Sequence, residues 1–142
     1  MDATPAADAA HPGAGTADSP VFTRTQRLWL DGGGLLHAEC LPGAEQTQAD
    51  AEECIASLWE IAGRRRPILV DLRRLKTMDR GARTYYAGPE TARVESAAAL
   101  LCASPLTRAI GNFFMGLNKP LIPTRLFTSE PEAIAWLQPF VV

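Results

Sequence analysis

Hydrophobic and polar positions alternate through residues 21–41, first in VFTRTQRLWL and then, after DGGG, in LLHAECL. Phe22, Leu28 and Leu30 share one parity in the first run. Leu36, Ala38 and Cys40 share one in the second, with His37 and Glu39 opposite. Period-two alternation on both sides of Asp31-Gly32-Gly33-Gly34, residues that accept positive φ, predicts a β-hairpin. His37 reads as an exposed strand residue. The period then changes. Ala51, Cys54, Ile55, Leu58, Ile61 and Ala62 recur at three- and four-residue steps, which predicts a helix from Gln46 to about Gly63. Glu45, Asp50, Glu52 and Glu53 lie early in it. Arg64, Arg65 and Arg66 follow it as a solvated helix end, and both placements suit the helix dipole.

Pro67 opens a short apolar run, Ile68-Leu69-Val70, which ends on Asp71 and reads as a buried central strand. A basic linker with Arg73, Arg74 and Lys76 leads to Asp79, the expected N-cap of a helix from Asp79 to Ala87. Gly88-Pro89 interrupts that helix, and Glu90 to Val94 continues as another turn. Ser96 to Ala103 reads as a second buried strand. Ser104-Pro105 starts a helix whose apolar stripe is Leu106, Ile110, Phe113, Phe114 and Leu117. Residues Gly116 to Pro123 form a loop and Thr124 to Thr128 a last strand. Ser129 with Glu132 reads as a capping box ahead of a final helix that ends at Pro139. The order is β-β-α-β-α-β-α-β-α, an α/β fold with a mixed, mostly parallel sheet and helices packed against it.

Composition adjusts this picture in a few places. The chain has 142 residues, 46% of them hydrophobic, which suits a single domain. Residues 1–20 are rich in Ala, Pro, Gly and Asp and read as a flexible tail, with the domain at 21–142. The net charge is -2, and no aromatic residues interleave the basic ones, so nucleic acid is not the expected partner. Cys40, Cys54 and Cys102 are odd in number and widely spaced, which argues against a disulfide framework or a zinc site and for a reducing cytoplasm. No apolar run approaches the roughly 18 residues of a membrane helix. The N-terminus lacks a basic region followed by an apolar segment, so it does not read as a signal peptide.

Charge is uneven. Of the 14 Lys and Arg residues, Arg64, Arg65, Arg66, Arg73, Arg74, Lys76, Arg80 and Arg83 lie within twenty positions. The linker among them has three readings: an exposed loop, a contact for an acidic protein partner, or an anion site at a helix N-terminus. Asp71 and Asp79 could pair across the loop as catalytic carboxylates, but capping and ion pairing with Arg73, Arg74 or Arg80 explain them more simply. Asn112, Asn118 and Lys119 lie near a helix end, and with Asp71 they outline a candidate pocket at the end of the central strand. No nucleophile-base pair and no phosphate-binding glycine loop is present, and no cofactor is implied. Oligomeric state stays open, a homodimer included.

The stretch from Val70 to Gly81, VDLRRLKTMDRG, resembles the switch element of STAS domains, the fold of bacterial anti-sigma-factor antagonists. In that family an apolar strand ends in Asp-Leu, a Leu follows three residues on, and an apolar-Asp-Ser-Ser/Thr-Gly element starts the next helix. Asp71, Leu72, Leu75, Met78 and Asp79 match, and the element order agrees over about residues 21 to 138. The segment from Leu101 to Leu137 is also similar to small bacterial proteins described as STAS- or SEC14-like. The resemblance implies a non-enzymatic regulatory domain that acts through protein contacts around Asp79 to Arg83. Arg80 and Gly81 stand where the family carries its phosphorylated serine or threonine, so the usual phosphate switch is not implied; Thr77 and Thr84 are hydroxyls nearby. The alternative function is a small-molecule or anion-binding module of the same fold.

Overall fold

The computed structural model describes residues 14–116 and 119–142, without the side chains of Leu106 and residues 113–116. Six strands form one sheet: β1 (Val21–Phe22), β2 (Gln26–Leu30), β3 (Leu36–Cys40), β5 (Arg66–Asp71), β7 (Glu95–Leu101) and β8 (Thr124–Phe127), side by side in that order. β1, β2 and β3 are antiparallel neighbours, and β3, β5, β7 and β8 run parallel. The mixed, mostly parallel sheet expected from the sequence is present. A separate parallel pair, β4 (Glu45–Gln46) and β6 (Thr77–Met78), joins two loops.

Strand parity divides the core. Leu36, Ala38, Ile68, Ala98 and Leu100 face α1 (Gln48–Ala62), α2 (Arg80–Tyr86) and α3 (Pro89–Val94), from which Cys54, Leu58, Ala82 and Val94 meet them. Ile110 of α4 (Pro105–Gly116) packs on the same cluster. Leu69, Ala97, Ala99 and Leu101 face the other way, against Ala133 and Leu137 of α5 (Glu130–Leu137). The alanine-rich β7 is buried on both sides, and its small side chains let helices approach both faces.

The expected single strand at 21–30 is two strands. Thr23 makes the break: its N–H donates to the Gln26 carbonyl at 2.9 Å, and its Oγ1 accepts from the Gln26 N–H at 3.0 Å. Phe22 is consequently exposed while Leu28 is buried, although the two share a parity. Ahead of Val21, the chain already contacts the domain, because Leu30 N donates to the Gly15 carbonyl at 2.7 Å. Of the three glycines in the Asp31–Gly34 turn, Gly34 alone has positive φ, at 93°. Asp31 Oδ1 orders the rest by accepting from Gly33 N and Leu35 N.

The long helix starts two residues later than the apolar spacing suggests, because Gln46 belongs to β4 and Thr47 is the N-cap. Gly63 closes the helix with φ of 71°. The three arginines after it act as braces. Arg66 Nε donates to the Ala62 carbonyl at 2.9 Å, Arg65 Nε to the Ala92 carbonyl at 2.8 Å, and Arg64 to the Val142 carbonyl. Of the apolar stripe expected on α4, the side chains of Leu106, Phe113 and Phe114 and all of Leu117 lie outside the described residues. Ser104 does cap that helix, its Oγ accepting from Thr107 N at 3.1 Å, and Ser129 Oγ accepts from Glu132 N at the start of α5.

Candidate functional site

The starts of α1, α2, α4 and α5 follow the strand ends of β4, β6, β7 and β8, so they gather where the parallel strands finish. α/β sheets commonly place their sites at this edge. Its central piece is the segment from Leu72 to Arg83. Leu72, Leu75 and Met78 are buried and anchor it at three-residue steps. Its backbone is tied to the segment before α1: Gly43 N donates to the Arg74 carbonyl at 3.0 Å, Lys76 N to the Ala44 carbonyl at 2.8 Å, and Asp79 N to the Gln46 carbonyl at 2.9 Å. Asp79 is the N-cap of α2, its Oδ1 accepting from Ala82 N at 2.8 Å.

The basic residues of this edge divide by what they hold. Arg73 forks onto Asp71, with Nε to Oδ1 at 3.0 Å and Nη2 to Oδ2 at 2.8 Å, and reaches Glu130 at 3.4 Å. Arg83 donates to the Met78 carbonyl. Lys76 lies 3.7 Å from Glu45. Arg74 and Arg80 are exposed, and their side chains hold no partner among the described residues.

Asp71 and Asp79 do not act as a pair. Asp71 projects from β5 on the α5 side and is held by Arg73, whereas Asp79 caps α2. The described members of the outlined pocket do not line one hollow. Asp71 lines a groove with Trp29, His37 and Glu130. Asn112 borders a different hollow beside Arg108 and Arg125. Lys119 is exposed, and Asn118 lies outside the described residues. Strand alternation is the reason: residue 71 must face opposite to residues 68 and 70.

Gly81 sits against α1. A Cβ at this position would come 2.9 Å from Gln48 Cβ and 2.9 Å from its Oε1. Thr77 and Thr84 are exposed. His37 is not the exposed residue its strand position suggests. It stacks on Trp29 at 4.6 Å between ring centroids and shares a 2.8 Å hydrogen bond with Asp31. The turn aspartate before the glycines was the signal available for that contact. The cysteines are free and buried. Burial pushes the Cys40 thiol up to about 12 and Cys54 further, so neither is a thiolate near neutral pH. Among the described residues no group of three His, Cys, Asp or Glu could hold a metal ion, and no helix is long and apolar enough to cross a membrane.

Sequence reasoning passed over the interior polar residues under α1 and α2, where Gln26, Gln46, Tyr86 and Glu95 meet one cavity. Gln26 shares its parity with Leu28, and Glu95 precedes an alanine-rich strand. Those were the only cues.

The fold matches solved structures of the SpoIIAA type. One is an uncharacterised protein from the DUF3478 family with a SpoIIAA-like fold, from Shewanella loihica PV-4. It is 17% identical, with a TM-score of 0.52, covering 72% of this chain and 83% of that one. Another is the anti-sigma factor antagonist SpoIIAA in its unphosphorylated form, 20% identical with a TM-score of 0.50, covering 80% and 97%. These likenesses establish the STAS-like fold. A protein with unknown function from Arthrobacter sp. FB24 is 40% identical over 78% of this chain and 96% of its own, with a TM-score of 0.32. No curated protein matches the sequence. The family model described as domain of unknown function DUF7793 matches residues 28–141, and the chain belongs to that family.

Proposed function

We propose that this STAS-like domain is a non-enzymatic regulatory module that docks an acidic protein partner at the start of α2. The observation that carries the reading is the pair Arg74 and Arg80. Both are exposed and without a partner among the described residues, on a segment whose backbone and neighbouring cations are already engaged. Unpaired cations on a fixed loop steer an acidic surface without first breaking an internal ion pair. The SpoIIAA neighbour, by its own name an antagonist of another protein, makes a protein partner the natural choice. The docking needs no phosphate, since Arg80 and Gly81 occupy the acceptor places of the family signature. Three buried free cysteines suit a reducing cytoplasm.

The test is affinity capture with the wild type, an Arg74→Glu/Arg80→Glu variant and an Arg64→Glu control, at low and at several-fold higher salt. The reading expects an acidic protein held by wild type and control, released by salt and lost with the double reversal. Partners that all remain on the double variant would overturn it.

A further inference from the structure

Where α1, α2 and α3 meet they leave a hollow of about 360 Å³. Ile55 and Val94 form its floor and are 5% and 4% exposed. Trp59 and Tyr85 add aromatic surface, and Glu52, Glu90 and Arg93 add charge. Trp59 is 49% exposed. One exposed aromatic residue is ordinary on a protein surface. Here it shares a hollow with a second aromatic ring and two carboxylates.

The polar side chains of this wall do little for one another. Glu52 Oε2 accepts from Gln48 Nε2 at 3.1 Å, and Glu52 Oε1 is uncommitted among the described residues. Glu90 and Arg93 form no ion pair with each other or with any other described residue. The Tyr85 hydroxyl and the Trp59 indole N–H have no hydrogen-bond partner among the described residues. Two carboxylates against one guanidinium leave the wall net negative. The Tyr85 hydroxyl registers that sign. Burial first, then Glu90 and Glu52, hold it above its ordinary value, with Arg93 the smaller opposing influence.

We propose that this hollow docks an arginine side chain presented by a basic segment of a partner protein, its guanidinium against the Trp59 and Tyr85 rings and between Glu52 and Glu90. A cation is drawn to aromatic faces as well as to carboxylates, so both features of the wall select the same charge. A guanidinium suits them better than an ammonium, being planar, weakly hydrated and able to fork onto a carboxylate while it stacks. Ile55 and Val94 receive the methylene stem. Arg93 offsets one of the two carboxylates, so the wall has charge for a single cation. A carboxylate on the partner would meet Glu52 and Glu90 at once, and an aliphatic side chain would leave them unused. The site shares no residue with the Arg74–Arg80 edge and takes the opposite charge, so it holds whether or not that edge docks an acidic protein.

Indole and amide NMR titration of the intact protein with end-blocked tripeptides, Gly-Arg-Gly, Gly-citrulline-Gly, Gly-Lys-Gly and Gly-Glu-Gly, tests the assignment. Saturable shifts of the Trp59 indole N–H and of amides around the hollow, such as those of Ile55 and Val94, are expected with the arginine peptide in the millimolar range. Citrulline keeps the shape and lacks the charge, and its peptide should bind about fivefold more weakly or worse. The lysine and glutamate peptides should also bind more weakly. Trp59→Ala, followed at the amides, and Glu52→Gln/Glu90→Gln are each expected to weaken the arginine peptide about fivefold. Arg74→Glu/Arg80→Glu should leave it unchanged, which separates this site from the docking edge. No shift at about 50 mM arginine peptide would overturn the proposal. So would equal binding of the citrulline peptide (an apolar hollow only), or binding to either folded hollow variant as tight as to wild type. The same shifts on concentrating the protein alone would assign the hollow to a second copy and overturn it as well.

Discussion

Arg24 grips Asp50 with two nitrogens, Nε donating to Oδ1 at 2.8 Å and Nη2 to Oδ2. Asp50 is 4% exposed, and it also closes the capping box of α1, its Oδ2 accepting from Thr47 N at 2.9 Å. The guanidinium, and then the Thr47 donors, hold the Asp50 carboxyl down at about 2 against the opposing effect of burial. A depressed carboxylate stabilises the fold above its ordinary value of 3.8, and that contribution disappears as pH falls through about 2. Asp50→Asn is expected to cost about 1–3 kcal/mol in urea melts at pH 7, through the lost cap and the stranded guanidinium. It should also flatten the acid limb of the stability profile. Arg24→Ala should shift that limb in the same direction with a smaller loss at pH 7.

Glu95 has the opposite sign. Burial alone raises its carboxyl from 4.5 to about 8. Below pH 4.5 the side chain is protonated in both folded and unfolded chains. As pH rises through 4.5 to 8 the unfolded chain ionises first, so stability falls across that window. The slope approaches about 1.4 kcal/mol per pH unit at its steepest. Cys54 from α1 and Tyr86 from α2 interact with this carboxyl, and burial raises both, so neither titrates in the window. Glu95→Gln is expected to match wild type near pH 4.5 and to exceed it by about 1–3 kcal/mol at pH 8.5, as read from melts at both values.

Gly81→Ala tests the contact between the two helix starts. The new methyl would meet Gln48 Cβ, which cannot swing away as the tip of its side chain can. The overlap is expected to outweigh the roughly 1 kcal/mol that alanine gains over glycine in a helix, leaving a net loss of about 1–2 kcal/mol. Combining it with Gln48→Gly should recover part of the loss. Strictly additive single-variant effects would show that the contact carries no strain.

Arg74→Glu and Arg80→Glu are expected to change stability by no more than about 0.5 kcal/mol, because neither side chain holds anything within the described residues. A larger loss in a denaturant melt would reveal a structural role and compromise both as probes of docking.

Much of this architecture was legible in the sequence, and the exceptions have identifiable causes. The hairpin at Asp31, the helix behind Thr47, the strand ending at Asp71 and the Asp79 cap follow from local periodicity and capping chemistry. The break at Thr23 was hidden because Phe22 keeps the parity of Leu28, while hydroxyl-to-backbone bonds turn the chain between them. The β4–β6 pair is only two residues per strand and has no propensity signal. Asp71 and Asn112 border different hollows, since alternation sends Asp71 to the α5 face. Glu95 escaped notice because a glutamate is buried by what packs over it, and nothing in its neighbours along the chain records that.

The backbone hydrogen bonds that fasten Gly43–Gln46 to Arg74–Asp79 have a consequence for association. Ordering a free loop costs about 1–2 kcal/mol per residue of backbone. Here that loss is incurred when the protein folds. A partner meeting Arg74 and Arg80 immobilises side chains alone, at about 0.5–1.5 kcal/mol each. Even a small contact at this edge can therefore retain a measurable affinity.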